Sequence, residues 1–530
     1  MKCLILAGGA GNHMWPVSRK NYPKQFVYLD GEHSMFQDTI LRNMAFCDEF
    51  WIMSSIAYRN IIKGQMKSFA GLKYRCFYEE EVKLTAPTLL FACMCAEPQE
   101  DFLVVSTDNI ISEGNYKETI VAGRRLIAQN NIVTLGVKEL KTFTGVGFLS
   151  ANVVGGVDYK FPKNENEAKR LAADGSYLMD TGILMGRVEV FLREFKKYTP
   201  FLFEQIKKLR EGIKLNNSSS ILIPAALVGE IKPVSIADAI TTKSEKVVLL
   251  EGHFECERVR SLEALANMWN EKGRGYVVKN DCKNVSVINF SDNQLVVGNA
   301  LKDLVVVNTA DAVYISKKGV TDNIKSIITS PENGIPEKLL DESPIYYTLY
   351  GYRETLQLEK NYWVRKVTVY PGCSLKRHKH SARSENWIIV SGEATVLLDN
   401  ECYNIGAGES FHIERGRVHQ LINNTFENIV FIETAVGEII KTINDADTEE
   451  IDESISGYDN IIRMIPNCKE KIWGGTKLID KYKKKTKGCN IAESWELSAH
   501  PNGQSVVASG RYSGMPFGTY LNIMGKEILG

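Results

Sequence analysis

Four side chains near residue 400 stand at spacings that metal chemistry can use. In "PGCSLKRHKHSARSENWIIVSGEATVLL" Gly372 is followed by His378, His380, Glu385 and then Gly392. Downstream, "GESFHIERGRVHQLIN" sets Gly408, Gly416, His419 and Asn423 at the offsets of a second motif. Residues two apart on a strand point to the same face, so His378 and His380 share one. A hairpin partner carrying Glu385 and a distant strand carrying His419 would complete three imidazoles and one carboxylate. That mixture suits Zn2+, Fe2+, Mn2+ or Ni2+ and leaves positions open for a substrate. A second group opens the chain, where "MKCLILAGGAGNHMWPVSRKNYPKQF" runs a short apolar strand into Gly8, Gly9 and Gly11. A glycine turn after a buried strand suits a phosphate, because backbone amides can face its oxygens. After the turn no lysine or arginine appears until Arg19.

The elements that must position these groups fall into blocks. At 530 residues the chain exceeds one core, and ~150 residues per domain gives three or four domains. Residues 1–275 alternate short apolar runs ("KCLILAG", "EFWIMSS", "DFLVVSTDNII", "NIVTLGV") with helical patterns such as "SMFQDTILRNMAF" and "VEVFLREFKKY". Strands alternating with helices imply a mostly parallel sheet covered on both faces. Residues 276–345 turn to short β runs punctuated by Asn, Asp and Gly, and 346–440 are β again. Residues 441–458, containing "NDADTEEIDES", read as an acidic linker, and 459–530 as one more short unit. Within that unit "KYKKKTK" reads as a solvated loop, and no internal repeat of fixed period stands out.

Bulk composition narrows the function. Sixty-four basic residues balance 64 acidic ones, which argues against nucleic acid or a membrane surface as the main partner. Eleven cysteines are scattered without a C-x-x-C pair, the pattern of reduced thiols. The start lacks the basic and small-residue features of a signal peptide, and no run of 18 apolar residues occurs, so a soluble cytoplasmic protein is expected.

The segment "LAGGAGNHMWPVSRKNYPKQF" resembles the signature of the sugar-nucleotide pyrophosphorylases, in particular the mannose-1-phosphate guanylyltransferases. Their loop reads G-G-S-G-T-R-L-W-P ahead of Y-P-K-Q-F. The likeness continues through "TAPTLLFA", "STDNII", "TGVGFL", "GSYLMDTGILM" and "ALKDLVVVNTADAVYI", over roughly residues 1–330. It implies attack by a sugar-1-phosphate oxygen on the α-phosphate of GTP, assisted by glycine amides, cations and carboxylate-held Mg2+. On that basis Gly8, Gly9 and Gly11 approach the nucleotide, Lys24 is a phosphate-facing catalytic cation, and Asp108 is a metal-binding aspartate. Other positions depart from the pattern. His13 stands for the loop arginine, and Arg258 stands for the second metal aspartate of G-W-S-D-x-G-S-W. Asp180 and Leu84 replace two asparagines, and neither Lys160 nor Lys163 is in register with the lysine of E-K-P. Losing an arginine and a metal carboxylate together removes several kcal/mol of transition-state stabilisation, at about 1.4 kcal/mol per tenfold in rate. The expectation is a nucleotide-binding fold with impaired transfer, in which magnesium with GTP is not gripped productively.

The histidine-bearing stretch resembles the cupin double motif at each ligand position, with Glu414 where a proline is usual. It is also similar to the isomerase domain of bifunctional type II mannose-6-phosphate isomerases, which read Q-M-H-H-H-R-S-E-H-W. His378 takes the glutamine's place, His380 that of the first histidine, and Arg383-Ser384-Glu385 that of R-S-E, with Trp387 retained. Ser381, Ala382 and Asn386 depart from the pattern. The resemblance implies exchange between mannose 6-phosphate and fructose 6-phosphate through a cis-enediolate, with the metal as Lewis acid. It makes Arg383 a catalytic candidate for stabilising the enediolate or the phosphate, against the plainer role of a surface ion-pair arginine. "IPNCKEKIWGGTKLIDKYKK" and "ESWELSAHPNG" resemble the start of the type I mannose-6-phosphate isomerases, most of whose metal ligands come later. That tail is expected to be catalytically empty, with His500 structural.

The expected architecture is therefore a Rossmann-like α/β nucleotidyltransferase domain, a β linker domain, a cupin (double-stranded β-helix) barrel and a short β-rich tail. The expected function is in the GDP-mannose pathway: isomerisation at a metal cupin beside an impaired guanylyltransferase. A fully bifunctional enzyme and a non-catalytic sugar-nucleotide sensor are the alternatives. Expected partners are mannose 6-phosphate, mannose 1-phosphate, GTP or GDP-mannose, and a second copy of the chain in a homodimer.

Overall fold

The computed structural model describes residues 1–437 apart from 10, 12–13, 29–32, 70, 139–145, 153–155, 216–218, 270–274, 292–293, 322–323, 336 and 400. Beyond these it describes 448–450, 496–499, 506–509, 511–512 and 515–516. Met1–Lys67 with Leu72–Pro344 form one compact unit, and the residues from Ile345 onward form another.

In the first unit the apolar runs become strands, most of them in one sheet. In chain order they are β1 (Lys2–Leu6), β2 (Glu49–Ser55), β3 (Tyr74–Glu79), β4 (Asp101–Ser106), β5 (Asn109–Gly114), β6 (Ile132–Val137), β7 (Phe148–Ala151), β8 (Val157–Lys160), β9 (Leu178–Arg187), β10 (Ser220–Ile223) and β11 (Val247–Gly252). The main sheet runs β10-β3-β2-β1-β4-β9-β6-β11, while β5 lies outside it and pairs with β12 (Phe254–Arg258). Leu4 sits between Trp51 and Val104, so the opening strand is buried on both edges and needs its continuous apolar run. Strand order reverses at β1, and an open α/β sheet forms its ligand crevice beyond such a point. The glycine turn follows β1, and Asp108 follows β4 beside it. One strand departs from the parallel expectation. β9 runs antiparallel to both β4 and β6, and the β7–β8 hairpin pairs onto its start.

Helices cover the sheet, and the helix Thr85–Cys95 is buried from Ala86 to Cys93. It has no polar face because it lies between the sheet and outer helices. Its Phe91 meets Phe77 at 6.1 Å between ring centroids, and Trp51 joins Phe77 and Phe102 at 5.1 and 5.6 Å.

The β-rich segment after Tyr276 contains a repeat that the sequence pattern did not reveal. Strand β13 (Tyr276–Asn280) pairs in parallel with β15 (Leu295–Asn299), and β14 (Ser286–Asn289) with β16 (Leu304–Asn308), both at an offset of 19 residues. The antiparallel β17 (Val313–Lys317) adds to β16. Equivalent asparagines stack: Asn280 donates to Asn299 at 2.6 Å, and Asn308 donates to Asn289 at 2.9 Å. With two turns only, and identity confined to stacked asparagines and inward valines such as Val287 and Val306, periodicity is weak in the sequence.

The second unit is a pair of sheets. One runs β18 (Ile345–Tyr347), β19 (Gly351–Leu358), β20 (Tyr362–Val369), β27 (Ile429–Gly437), β22 (Arg383–Ser391), β25 (Ser410–Ile413). The other runs β24 (Glu401–Gly406), β23 (Glu393–Leu398), β26 (His419–Ile422), β21 (His378–His380), β28 (Thr448–Glu450). Trp387, Ile389, Val396, Leu421, Ile429 and Phe431 fill the space between them. Gly372, Gly392, Gly408 and Gly416 all have positive φ, so the four motif glycines are turn residues. β28 lies inside the segment 441–458 that reads as a linker from composition. Backbone pairing to β21 needs no apolar side chains, so acidity did not prevent it. Residues 459–495 and 517–530 lie outside the described residues, as does His500. Within the tail, Glu496–Ala499 pairs with Val506–Ser509.

Asn289 is fully buried, donates to the Tyr276 and Gln294 carbonyls, and accepts from Asn308 and Ser291. Asn289→Ala is expected to destabilise the first unit by about 2–3 kcal/mol, because it strands buried partners. Asn280→Ala, at an exposed rung, is expected to cost under about 1 kcal/mol in the same denaturant titration.

Candidate functional site

His378 on β21 lies directly opposite His419 on β26, and strand alternation puts His380 on the face of His378. The imidazole centroids lie 4.7, 4.2 and 5.1 Å apart, and one nitrogen from each ring falls within 4.8 Å of the other two. Their far nitrogens are fixed. His378 Nδ1 donates to the Lys376 carbonyl at 2.6 Å, and His419 Nδ1 to the Arg417 carbonyl at 2.9 Å. Carbonyls only accept, so these two rings present Nε2 lone pairs. His380 Nδ1 meets the Thr448 hydroxyl at 3.1 Å. Burial, with His378 beside it, pushes His419 down to about 4, and burial also lowers His378, so both rings stay neutral.

Glu385 arrives differently from the expected hairpin. β21 and β22 are not paired, because each belongs to a different sheet. The Ser381-Ala382 turn is a corner between sheets, so Glu385 faces the histidines across the sandwich. Its Oε1 lies 2.9 Å from His380 Nε2 and its Oε2 lies 3.7 Å from His419 Nε2. The three imidazoles form the closed set, and Glu385 stands beside two of them. Burial alone would raise its pKa, but His380, Arg383 and His419 hold it well below the usual carboxylate range.

Arg383 is 2% exposed, so it is no surface ion-pair residue. Its Nε donates to Glu385 Oε1 at 2.9 Å, its Nη2 reaches His380 Nε2 at 3.0 Å, and Trp387 Nε1 donates to Glu385 Oε2 at 3.1 Å. His380 Nε2 thus lies between a guanidinium that can only donate and a carboxylate oxygen that can only accept, and its tautomer sets which of the two it bonds. The Arg383 guanidinium stacks 4.3 Å from the Trp363 centroid, and Arg365 lies 3.6 Å from the same ring. Trp363 Nε1 in turn donates to Glu433 at 2.7 Å. Asn423, the last residue of the second motif, ties the barrel wall through the Val369 and Glu427 carbonyls.

The donors fit a divalent transition ion. His419 Nε2 is buried and has no hydrogen-bond partner among the described residues, and His380 Nε2 stands 2.9 Å from a Glu385 carboxylate oxygen. A cation among these nitrogens would give the orphaned His419 lone pair a partner, and neutral imidazole with carboxylate is a common ligand set for one.

The glycine turn of the first unit is also built. Gln25 donates to the Ala7 and Gly9 carbonyls at 3.2 and 2.8 Å. Gly11 has φ +62°, and a Cβ there would fall 2.5 Å from Ser18 Oγ. A Cβ on Gly9 would meet no protein atom within 4 Å, so space is open above it. Gly8 lies against Val82. His13 lies outside the described residues. Arg19 is buried elsewhere: its guanidinium clamps Asp311 at 3.1 and 3.2 Å and the Leu339 and Glu342 carbonyls, a structural duty.

Lys24 donates to the Val259 carbonyl, between Arg258 and Arg260. Arg260 Nε donates to Asp108 Oδ2 at 3.0 Å, Arg258 Nη2 lies 3.7 Å from that oxygen, and Ser106 donates to Oδ1 at 2.5 Å. Arg258 Nη1 donates to the Asp180 carbonyl at 3.1 Å and lies 3.6 Å from Asp180 Oδ2. Gly182, at φ +68°, makes room for it, since a Cβ would fall 2.9 Å from Arg258 Nη2. Burial would raise the Asp108 pKa, but Arg258, Arg260 and Lys24 hold it well below the carboxylate range. Burial lowers Lys24 to about 8. Strand alternation turns Glu257 to the side of β12 opposite Arg258. Lys160 and Lys163 are exposed, the former over Tyr177, and Leu84 begins its helix exposed at φ 66°. None of these three joins the Asp108 cluster.

A Mg2+ ion does not fit beside Asp108. Both carboxylate oxygens accept from donors already, and unit charges at about 4 Å repel by about 4 kcal/mol at an effective dielectric of ~20, doubled for a divalent ion. Sequence reasoning missed Arg260, Asp180 as an ion-pair partner, Thr448, and the Trp363–Arg365–Glu433 group. The R-x-R spacing of Arg258 and Arg260 was a usable signal for the first. The others are distant in sequence and carried none. Thr448→Val is expected to weaken Co2+ binding by about 10-fold through loss of support to His380, without lowering the melting temperature of the metal-free protein.

Both units have counterparts among known proteins. Residues 2–219 match the nucleotidyl transferase family model, and residues 339–452 match the mannose-6-phosphate isomerase C-terminal model. The chain is 27% identical over 460 residues to mannose-1-phosphate guanylyltransferase 2 of Escherichia coli O157:H7, covering 82% of this chain and 95% of that one. It is 25% identical over 445 residues to alginate biosynthesis protein AlgA of Pseudomonas aeruginosa, covering 79% and 90%. The crystal structure of mannose-1-phosphate geranyltransferase from Thermus thermophilus shares the fold over 62% of this chain and 99% of its own, at a TM-score of 0.52 and 19% identity. The chain is an enzyme similar over about four-fifths of its length to mannose-1-phosphate guanylyltransferases, with a match to the nucleotidyl transferase model ahead of a match to the mannose-6-phosphate isomerase C-terminal model.

Proposed function

We propose that this chain serves the GDP-mannose pathway, interconverting mannose 6-phosphate and fructose 6-phosphate at its C-terminal barrel. Its N-terminal domain then binds a guanine nucleotide or nucleotide sugar while its transfer chemistry is impaired. The observation that carries the first part is the convergence of three imidazoles whose far nitrogens are all hydrogen-bonded. The second part rests on Arg258 and Arg260 engaging Asp108.

At the barrel, His378, His380 and His419, with Glu385 beside them, would hold a divalent transition ion. When bound, that ion supplies Lewis-acid polarisation of the sugar oxygens at C1 and C2. Arg383 orients Glu385 by a charge-assisted hydrogen bond and is itself held over Trp363. Its fixed positive charge favours an enediolate or a phosphate nearby. The indole of Trp387 fixes the second oxygen of Glu385, so the carboxylate cannot rotate away. The buried walls around Trp387 and Phe431 exclude water from these charges, which strengthens each of them.

Metal-loaded protein is expected to form fructose 6-phosphate from mannose 6-phosphate, and His380→Ala to lose both bound metal and ketose formation. Metal-loaded wild type that forms no ketose would sink the isomerase assignment. With GTP, Mg2+ and mannose 1-phosphate, pyrophosphate release is expected at least about 10²-fold below a typical enzyme turnover. Release at ordinary turnover would show that the N-terminal site is intact.

A further inference from the structure

The first unit holds three cations around one carboxylate at the mouth of its glycine turn. Arg258 is 5% exposed, spans Asp108 and Asp180, and has no hydrogen-bond partner at Nε. Arg260 adds a second guanidinium on Asp108 Oδ2, and Lys24 reaches the carbonyl of the residue between them. Beside this cluster, Gly9 leaves open space at the end of β1. The cluster carries more positive than negative charge, and it is fixed by strand pairing of β12 with β5, where Arg258 lies opposite Asn109.

Resting on the reading of this unit as a nucleotide-binding domain, we infer that Arg258 is its built-in cation, held between Asp108 and Asp180. The domain therefore binds the phosphates of a nucleoside diphosphate without metal, through Arg258, Arg260, Lys24 and the amides of the glycine turn. Two features separate this arrangement from incidental ion pairing. Gly182 gives up its side chain to admit the guanidinium, at a backbone angle that other residues avoid. In addition, two guanidiniums from the β12 segment face Asp108 with the Lys24 charge nearby, so the carboxylate is neutralised before any ligand arrives. A phosphate then meets cations without first displacing a metal's water shell.

GDP is the probe, titrated calorimetrically into the full chain in metal-stripped buffer and again with excess Mg2+. Wild-type affinity is expected to change by less than about threefold between the two conditions. Arg258→Asp is expected to lose about 10-fold or more in metal-free buffer, to recover with Mg2+, and to bind one more Mn2+ per chain than wild type by electron paramagnetic resonance. Arg260→Gln is half-exposed and safe for folding, and it is expected to weaken GDP about 10-fold in both conditions. Wild-type binding that needs Mg2+, no GDP binding in either buffer, or an Arg260→Gln affinity equal to wild type would each overturn the inference. The pyrophosphate assay is separate. A fast transferase would remove the impaired-transfer reading while leaving metal-free GDP binding to be judged on its own.

Discussion

The Asp108 carboxylate sits at the end of β4, where the sheet's strand order reverses and the glycine turn of β1 comes alongside. Burying a carboxylate there without a counter-charge would cost several kcal/mol, so something positive must accompany it. The chain supplies Arg258 and Arg260 from the β12 segment and Lys24 from the turn after β1. Much of the local structure follows from that demand. Gly182 stays without a side chain, Asp180 takes the other side of the Arg258 guanidinium, and Lys24 crosses to the Val259 carbonyl.

The barrel meets the same demand from the opposite direction. There the lone pairs converge and the protein's own cation, Arg383, serves only part of them. Burial keeps His378 and His419 neutral, and a neutral imidazole whose far nitrogen donates to a carbonyl is oriented to coordinate. The support is layered: Glu433 holds Trp363, Trp363 supports Arg383, and Arg383 holds Glu385. One buried site is thus filled by a guanidinium, whereas the other brings three imidazole nitrogens together.

The elements differ in how local their causes are. The helices Met35–Asn43 and Val188–Tyr198 and strand β1 were legible because their apolar spacing lies within one short window. The β28 strand was not, because its pairing to β21 is a backbone interaction that leaves acidic side chains free to face solvent. The offset repeat after Tyr276 escaped for a related reason. Stacked asparagines bond to one another, so their signal lies in pairs 19 residues apart and not in hydrophobic periodicity.

By itself the sequence determined the type and spacing of the chemistry-bearing residues: the glycine turn, Lys24, Asp108, the three histidines, Glu385 and the replacement at Arg258. These follow from alternation along strands and from residue chemistry, which act over a few positions. The tertiary structure alone decided that Glu385 comes from the facing sheet, that Arg383 is buried on Trp363, and that Thr448 supports His380. It also decided that Arg258 spans two aspartates from different strands. Such contacts join residues far apart in the chain, and the loop entropy opposing them is overcome only by the collective burial of the whole fold.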